Sequence, residues 1–457
     1  MSVDLRISGG TVVTPGGQVQ ADVLVDRGKI VGLVSAELPV ADVGRVVDAK
    51  GKHVLPGMVD VHVHTREPGY THKEDILTTT QQAAAGGVTT IFGMPNLEPP
   101  TSTLETLEQV FDMYRAKAIV DWNHNPAATR TDQIEPMSKT GIRAYKVYMV
   151  VDTGRTYPHP AGTGMHAHGD ILRMMDTIAP TGLRFIIHPH DQSIMDYIER
   201  GHLDRGENTP QGYAQALAAR NGVIWDTAVS VITRLSEASG CPLHIAHMQT
   251  CQAIDNVRQA KARGVPVTCE VNHWGLFLSR WEDVETLGPY ALSYWIPDDA
   301  RAALWAGVND GTIDVLSSDH APHTREEKDI GWTQMWSSHT GTPGIQYQYP
   351  LLLDAVTRGL LPLARAVDMV AAGPARYFGL SASKGAIEVG RDADVVIADL
   401  DAPWTISNAG VLSRCGWTPY DGRECRARIL STYVRGQEVF ANDQVTGQPG
   451  YGQMARA

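Results

Sequence analysis

The chain has 457 residues, of which 43% are hydrophobic and 20% charged, and its formal net charge is −12. These proportions are typical of a globular protein, and the acidic balance argues against a nucleic-acid partner, because no cluster of Lys and Arg stands out against it. The length exceeds one ordinary domain but suits a β/α barrel of about 250 residues with a smaller unit.

The first residues, MSVDLRISGG, are charged and lack the apolar centre of a signal peptide, and no apolar run approaches the length of a membrane span. We therefore expect a cytoplasmic protein without a membrane partner. The five cysteines are widely spread and form no C-x-x-C pair, so neither a disulfide framework nor a thiolate zinc site is indicated. Any metal would have to be held mainly by histidine and carboxylate groups.

Short alternating strands occupy residues 1–57, and the glycine pairs at 9–10 and 16–17 interrupt them in a way that is typical of hairpins. Residues 381–457 show the same pattern of short alternating strands in GAIEVGRDADVVIADLD and RILSTYVRGQEVFA. The sequence therefore predicts a small β-sandwich built from both ends of the chain, with residues 1–57 as its N-terminal part and 381–457 as its C-terminal part and tail.

Between them, residues 58–380 alternate apolar strands with helical stretches, a pattern that indicates a parallel β/α architecture. One helix shows a capping box of Ser102 and Glu105, and the stretch CQAIDNVRQAKARG ends on a glycine. We predict an α/β fold, a TIM-like (β/α)8 barrel whose active site lies at the C-terminal ends of its strands. The candidate strands begin at Met58, Val88, Ala118, Ile142, Leu183, Pro242, Val265 and Thr312.

Polar side chains collect where these strands end. In VDVHVHTREPG, His62 and His64 lie on one face of a strand, so they are either metal ligands or ordinary hydrogen-bonded histidines. The polar residues at the ends of the later strands also have ordinary explanations when each is taken alone. A histidine there can be a hydrogen-bonded rim residue, a lysine can extend its amine to the rim, and an aspartate can cap a turn. Together they predict one site for Zn²⁺, Mn²⁺ or Co²⁺. The later groups are Lys146, His188, His190, His247 and Asp319.

The motifs LPGMVDVHVH, SSDHAPHTREEK, KGAIEVGRDADVVIADLD and YVRGQ occur in this order. With them the chain resembles the cyclic amidohydrolases of the amidohydrolase superfamily, the group of hydantoinases and dihydropyrimidinases, allantoinases and dihydroorotases. The resemblance implies two divalent metal ions, zinc by default with manganese or cobalt as alternatives, and a lysine carboxylated by CO2. His62, His64 and Asp319 would bind the first metal, Lys146 would bridge, and His188 and His247 would bind the second, with His190 and His244 as possible substitutes.

The resemblance also implies the chemistry, a hydrolysis of non-peptide C–N bonds in a cyclic amide or ureide. A metal-bridging hydroxide would attack the ring carbonyl, with Asp319 as general acid and base. Tyr148 lies two residues past Lys146 and would donate to the oxyanion, unless it only packs. Homodimers or homotetramers are implied as well. A non-catalytic scaffold relative would lack such ligands, and a mononuclear deaminase-like relative would not need Lys146.

The motifs point to two different classes of substrate ring. HTREPGYTHKED and GMPNLEPPT look like dihydroorotase, in which Arg66 and Asn96 would hold a carboxylate. Alternatively, Arg66 pairs with Glu67 or Glu74 and Asn96 caps a turn. CEVNHWGLFLSR and ALSYWIPDDAR depart from dihydroorotase, and GWTQMWSSHTGTPGIQYQYPLLL is closer to allantoinases and L-hydantoinases. The resemblance therefore favours a hydantoinase- or allantoinase-like enzyme.

Several further residues belong to the predicted pocket or its rim. Trp274 and Trp295 would line an apolar pocket or fill the core. A loop rich in glycine and proline carries His159, His166 and His168, which are either solvated or part of a lid. The predicted substrate contacts are Arg66, Asn96, His273, Ser293 and Gly341.

Overall fold

A computed structural model describes residues 2–150, 161–295 and 300–457. His159, which the sequence places in a solvated loop or a lid, lies outside the described residues. Within the described ranges no helix combines the length and apolar character needed to cross a membrane. The five cysteines are free thiols.

The strands of the described residues alternate with helices over most of the chain. The strands are β1 (Ser2–Thr14), β2 (Gly17–Asp26), β3 (Lys29–Val34), β4 (Asp42–Asp48), β5 (His53–Pro56), β6 (Met58–Val63), β7 (Val88–Gly93), β8 (Asp121–His124), β9 (Ala144–Tyr148), β10 (Arg184–His188), β11 (Leu243–Ile245), β12 (Val267–Asn272), β13 (Val315–Ser317), β14 (Val395–Asp399), β15 (Trp404–Thr405), β16 (Glu424–Cys425), β17 (Arg428–Val434), β18 (Gln437–Ala441) and β19 (Gln444–Val445).

The helices cover the outside of the barrel and the connections at its catalytic end. They are α1 (Ile76–Ala85), α2 (Leu104–Lys117), α3 (Thr131–Ser138), α4 (His168–Ile178), α5 (Gln192–Asp204), α6 (Pro210–Ser239), α7 (Cys251–Ala262), α8 (His273–Phe277), α9 (Trp281–Leu287), α10 (Ala300–Asp310), α11 (Arg325–Asp329), α12 (Gln348–Thr357), α13 (Leu363–Val367) and α14 (Gly373–Tyr377).

The predicted (β/α)8 barrel is confirmed, and each of its eight predicted strands is present as β6 to β13. Strands β6 to β8 pair in parallel, as do β9 to β13. Backbone bridges from Val63 to His320 and from Ala127 to Lys146 join the two runs. All strand ends that carry the predicted polar side chains therefore meet at one end of the barrel.

Local sequence explains the helix boundaries, with one correction. The N-cap of α2 is Thr103, which forms a capping box with Thr106, so the box predicted on Ser102 and Glu105 is wrong by one residue. Three adjacent residues at 101–103 can all accept a hydrogen bond, and the buried face of the helix decides which one caps it. Helix α7 ends as predicted, with Gly264 in the left-handed region at φ 82°.

A nine-stranded sheet combines strands from both ends of the chain, in the order β19-β18-β17-β14-β5-β1-β2-β3, with β4 beside β1. Alternate residues of β14 face opposite sides: Val395 and Ile397 join the core of the small unit, while Val396 and Ala398 join the barrel core. The glycines at 16–17 form the predicted hairpin between β1 and β2. The glycines at 9–10 instead lie within β1, where the register shifts, so a hairpin there is wrong.

A buried ionic cluster joins the sheet to the barrel floor. The Lys384 ammonium lies 2.5 Å from Asp121, 3.0 Å from Asp392 and 2.7 Å from Asp394. Arg435 pairs with Asp121 from the other side. The lysine occupies the centre of these carboxylates, so the group is a structural contact and not a cation site.

Replacing Lys384 by methionine is expected to lower the free energy of unfolding by about 3–5 kcal/mol, because buried carboxylates would lose their counter-ion. Denaturant unfolding at neutral pH measures the effect. Lys139→Met serves as the control, since the Lys139 side chain is 70% exposed in its pair with Glu135. Equal unfolding curves for the two variants would contradict this account of the cluster.

Two stretches of the predicted C-terminal range pack on the barrel instead of the sheet. Residues 452–455 run beside β8, where the Trp122 amide donates to Gln453 and the Ala455 amide donates to Trp122. Residues 413–420 cross the catalytic end, where the Trp417 indole donates to the carbonyl of His323 at 2.7 Å. The last part of the chain thus helps to build the barrel.

Candidate metal centre

Two histidines and an aspartate converge on one point at the catalytic end of the barrel. Oδ1 of Asp319 lies 3.4 Å from Nε2 of His62 and 3.2 Å from Nε2 of His64. Ligand atoms of all three residues lie within 4.8 Å of one another, and all three side chains are buried. This spacing and these donor types suit a divalent transition-metal ion.

A second group of predicted ligands adjoins the first. The ring of His247 lies 4.8 Å from that of His62 and 5.0 Å from that of His188. Oδ2 of Asp319 lies 3.7 Å from Nδ1 of His247. One carboxylate therefore faces both groups of histidines.

Lys146 projects into the same space from β9. Its side chain is fully buried, and its amine lies 4.9 Å from the centre of the Tyr148 ring. The amine has no hydrogen-bond partner among the described residues. Burial lowers the pKa of Lys146 to about 8, although Glu270 and Asp319 act in the opposite direction. Near pH 7 about a tenth of this amine is therefore neutral and nucleophilic, far more than for a lysine with an ordinary pKa.

The backbone is strained where two of these residues leave their strands. His247 has φ 58° and Asp319 has φ 44°, in the left-handed region that residues with a Cβ rarely adopt. Such conformations persist only where the surroundings hold them, and they cluster at functional sites. Here they turn both side chains toward the barrel axis.

Three of the predicted ligands have a hydrogen-bond partner on Nδ1, a side-chain oxygen of a neighbouring residue in each case. Nδ1 of His62 bonds to Glu270 at 2.6 Å. Nδ1 of His64 bonds to Asn96, also at 2.6 Å. The third bond, from Nδ1 of His247 to Asn272, is 2.7 Å. These oxygens accept the proton of Nδ1, so the lone pair of each ring lies on Nε2, the nitrogen that would bind a metal.

Burial keeps the rings of His64 and His247 neutral at neutral pH. It lowers the pKa of His64 to about 3 and that of His247 to about 4. For Asp319 burial acts to raise the pKa, but His247, His62 and a hydrogen bond from His64 hold it below its ordinary value. Neutral imidazoles beside an ionised carboxylate are the form that a metal ion requires.

Glu270 and Asn272 were missed by the sequence analysis, although both point inward from β12, two residues apart. Glu270 bonds to His62 through one oxygen and lies 3.2 Å from Nε2 of His244 through the other. Its ligand atoms also group with His62 and His247. The signal that could have found them is the strand CEVN itself, since a buried glutamate and asparagine alternate there with apolar residues.

Replacing Glu270 by glutamine is expected to weaken metal binding by about 10–100-fold, because the ring of His62 loses the charged partner that orients it. Competition against a calibrated chelator measures the affinity. Glu282→Gln, at an exposed position on α9, is the control. Unchanged affinity in Glu270→Gln would show that the carboxylate does not support the ligand.

Arg66 is buried beside the centre, with φ 60°. It donates to the carbonyl of Pro322 at 3.3 Å and lies 3.1 Å from Nε2 of His323. In the described ranges it forms no ion pair with Glu67 or Glu74, so the predicted alternative pairing is wrong. His323 also contacts Lys73 at 3.1 Å, and the sequence analysis missed both residues.

The other predicted substrate contacts fall into two groups. Ser293 Oγ lies 3.4 Å from Asp319, and the Gly341 amide donates to the carbonyl of Leu292, the residue before Ser293, so both lie beside the centre. The ring of His273 is instead buried, and its Nδ1 bonds to the hydroxyl of Tyr420 at 2.5 Å. Substrate contact by these residues stays a prediction, and the placement of His273 favours a supporting role.

Aromatic rings wall the second group of histidines. Tyr294 lies 5.0 Å from His188 and 5.2 Å from His247, between ring centres. Trp274 lies 6.0 Å from His247, so it belongs to the site wall. Trp295 instead packs on Trp281 in the core. An apolar wall of this kind suits a flat, neutral ring.

The remaining histidines differ in position. The ring of His190 lies 6.0 Å from that of His188, beside the predicted ligand. His244 contacts Glu270 and Thr268, so it stands behind the convergence point. His166 and His168 are exposed, and both line a surface pocket with His190.

Comparisons with known proteins agree with this geometry. Residues 53–439 match the model of the family described as "Amidohydrolase family". The chain is 32% identical to a dihydroorotase of Methanosarcina acetivorans over 95% of this chain and 91% of that protein. It is also 32% identical to an allantoinase of Enterococcus faecalis over 97% of each. Its structure matches an L-hydantoinase (dihydropyrimidinase) from Arthrobacter aurescens with a TM-score of 0.94, 27% identity and full coverage of both chains.

Proposed function

Because this chain belongs to the amidohydrolase family, we propose that it opens a hydantoin- or allantoin-like ring at the centre formed by His62, His64 and Asp319. It is a metal-dependent hydrolase of cyclic amides. The observation that carries the proposal is this convergence of buried histidines, one aspartate and a buried lysine at the ends of five barrel strands and of the connections that follow them.

The residues present fit two metal ions. His62, His64 and Asp319 would hold the first, and His188 and His247 would hold the second, with Lys146 between them. An amine that is buried without a hydrogen-bond partner fits a carbamate, since addition of CO2 to the neutral nitrogen with loss of one proton yields an anion with two oxygens. The donor set favours zinc, with manganese or cobalt as alternatives.

When bound, two divalent cations lower the pKa of water and polarise the carbonyl under attack. Side chains of the protein supply proton transfer and a hydrogen bond to the carbonyl oxygen. Asp319 takes the proton of the attacking water and returns it to the ring nitrogen as the C–N bond breaks, so the product is an open-chain acid. Tyr148 shares the face of Lys146 and would donate to the carbonyl oxygen as charge develops there.

The aromatic wall favours an uncharged ureide ring. Tyr294 and Trp274 lie beside His247, where the ring would lie against them. Trp274 belongs to the segment that departs from the dihydroorotase pattern. A hydantoin or allantoin ring presents flat faces to such side chains and amide edges to backbone groups.

A dihydroorotase-like reaction on a carboxylated ring is the second candidate, and one observation favours it. The guanidinium of Arg66 is 2% exposed and forms no ion pair in the described part of the chain. A buried cation without an anionic partner is costly, and a substrate carboxylate would neutralise it. Asn96 is already bonded to His64, so its contact with such a carboxylate would use its amide nitrogen.

The testing experiment measures metal content and ring opening on protein purified without chelators. The substrates are hydantoin derivatives, dihydrouracil, allantoin and dihydroorotate, each assayed before and after dialysis against a chelator. We expect two metals per chain, and turnover of a hydantoin or allantoin that is lost on dialysis and restored by zinc, manganese or cobalt. Turnover of dihydroorotate alone would select the second candidate, and turnover unaffected by metal removal would overturn the mechanism.

Oligomeric state and cellular location belong to the same proposal. We expect a homodimer or homotetramer, which light scattering during size-exclusion chromatography measures directly. A cytoplasmic location agrees with the absence of a membrane-spanning helix from the described residues.

A further inference from the structure

Lys328 is a buried cation that the proposed mechanism does not use. It lies on α11, at the end of the motif SSDHAPHTREEK, and its side chain is fully buried. Among the described residues it forms no ion pair, because the neighbouring Glu327 carboxylate contacts Lys73 at 2.7 Å. A lysine is seldom buried unless specific contacts compensate for its lost hydration.

Those contacts are three backbone carbonyls. The ammonium donates to Leu292 at 3.2 Å, to His339 at 3.0 Å and to Gly341 at 3.2 Å. An ammonium group has three N–H donors and no acceptor, so the three carbonyls match it fully. The ring of Trp417 covers the group at 6.0 Å. One side chain thus fastens two loops that are far apart in the sequence.

Both loops border the candidate metal centre. Ser293 follows Leu292 directly, and its hydroxyl lies 3.4 Å from Asp319. The amide of Gly341 donates to the carbonyl of Leu292 at 3.1 Å, which ties the loops to each other. A Cβ at Gly341 would lie 2.7 Å from the carbonyl of Ala321, so the second loop runs tightly beside the residues that follow Asp319.

We propose that Lys328 is a positioning residue for substrate recognition, which holds the loops at residues 292–293 and 339–341 in register beside Asp319. The inference rests on the proposed function, because it assigns these loops to the substrate side of that same site. Backbone groups fixed in this way present amide donors and acceptors to a ring whose edges carry amides. The distance between the two loops determines how well a substrate ring fits between them. Lys328 does not contact the predicted metal ligands, so they keep their positions.

The test compares Lys328→Met with Lys384→Met, which removes a buried lysine from the opposite end of the barrel. For Lys328→Met we expect KM for the ring substrate to rise about tenfold and kcat to change less than about threefold, because loop displacement weakens binding before chemistry. Metal content should equal that of the wild type. Lys384→Met should lower the free energy of unfolding without raising KM relative to kcat. Equal values of KM and kcat in the two variants would overturn the inference.

Hydrogen exchange gives a readout that does not depend on the reaction. In Lys328→Met we expect the protection factors of peptides spanning 289–295 and 338–343 to fall at least about tenfold, as local opening becomes easier. Lys384→Met should leave these two peptides as protected as the rest of the barrel. Failure of the wild type to open any ring would sink the proposed function, whereas unchanged local protection in Lys328→Met would sink this inference alone.

If Lys328→Met does not fold, hydrogen exchange of the wild-type protein as a function of pH tests the same inference. Burial lowers the pKa of Lys328 to about 7. The neutral amine has two donors, so one carbonyl loses its partner as the pH rises through this value. We expect the two peptides to lose protection between pH 6 and 8, after correction for intrinsic exchange. Constant protection across this range would contradict the inference.

Among the other titratable groups near Lys328, Glu327, Cys415 and His339 titrate outside this range, whereas Lys73 titrates at its upper edge. Hydrogen bonds hold the pKa of Glu327 below its ordinary value, although burial acts to raise it. Burial raises the pKa of the Cys415 thiol to about 11 and lowers that of His339 to about 4. Lys73, whose pKa burial lowers to about 8, contacts Glu327 and His323.

Discussion

Replacing Lys146 by alanine is expected to lower kcat/KM by at least about 10⁴-fold, because metal-assisted water activation and carbonyl polarisation are lost together. Metal content should fall from two ions per chain toward none, since the site would lose the anion that we propose lies between the cations. The measurements are elemental analysis and ring-opening kinetics on the same preparation. Lys139→Ala, at an exposed position on the barrel surface, is the control.

Two further readouts separate the carbamate from a purely structural lysine. Protein prepared with ¹³C-bicarbonate should show a carbamate resonance that is absent from Lys146→Ala. Acetate or another short carboxylic acid should restore part of the metal binding and activity of the variant, because it supplies the missing oxygens in the cavity left behind. Full metal content and activity in Lys146→Ala would remove the bridging role.

Replacing Asp319 by asparagine is expected to lower kcat by about 10²–10⁴-fold, the usual contribution of a group that transfers the proton. The amide has the same shape but neither the charge nor the basicity of the carboxylate. Because Asp319 faces both His64 and His247, metal affinity should fall as well. Steady-state kinetics at saturating metal separates the two effects.

Asp401→Asn, which changes an exposed carboxylate of the C-terminal range, provides the comparison. The Lys146 carbamate resonance should persist in Asp319→Asn, which distinguishes loss of proton transfer from collapse of the centre. A variant that keeps wild-type kcat when its metals are replenished would show that another group carries the proton.

Much of the barrel and the placement of the candidate ligands could be predicted because they depend on local alternation. A strand with period two places His62 and His64 on one face, and the same rule fixes Lys146 relative to Tyr148. The supporting residues could not be predicted in this way. Glu270 and Asn272 obey the same alternation, yet only the closed barrel shows that they stand behind His62 and His247.

Long-range contacts account for the other differences. A glycine pair that reads locally as a turn lies in the middle of β1, because β1 pairs with β4 before it and continues past it to pair with β2 and β5. Lys328 looks like an ordinary surface lysine in its motif, and its burial depends on carbonyls from two distant loops. Nothing in the local composition of residues 413–420 or 452–455 indicates that they pack on the barrel.

The pairing of β5 with β14 imposes an order on folding. Val54 lies opposite Ile397, so strands made at the start of synthesis must wait for a partner made near its end. During that interval the barrel helices can form from near neighbours, whereas the first strands expose an unpaired edge to chaperones and proteases. We expect ribosome-bound intermediates of this protein to be cleaved first within residues 1–57, and to become resistant there only after β14 has emerged from the exit tunnel.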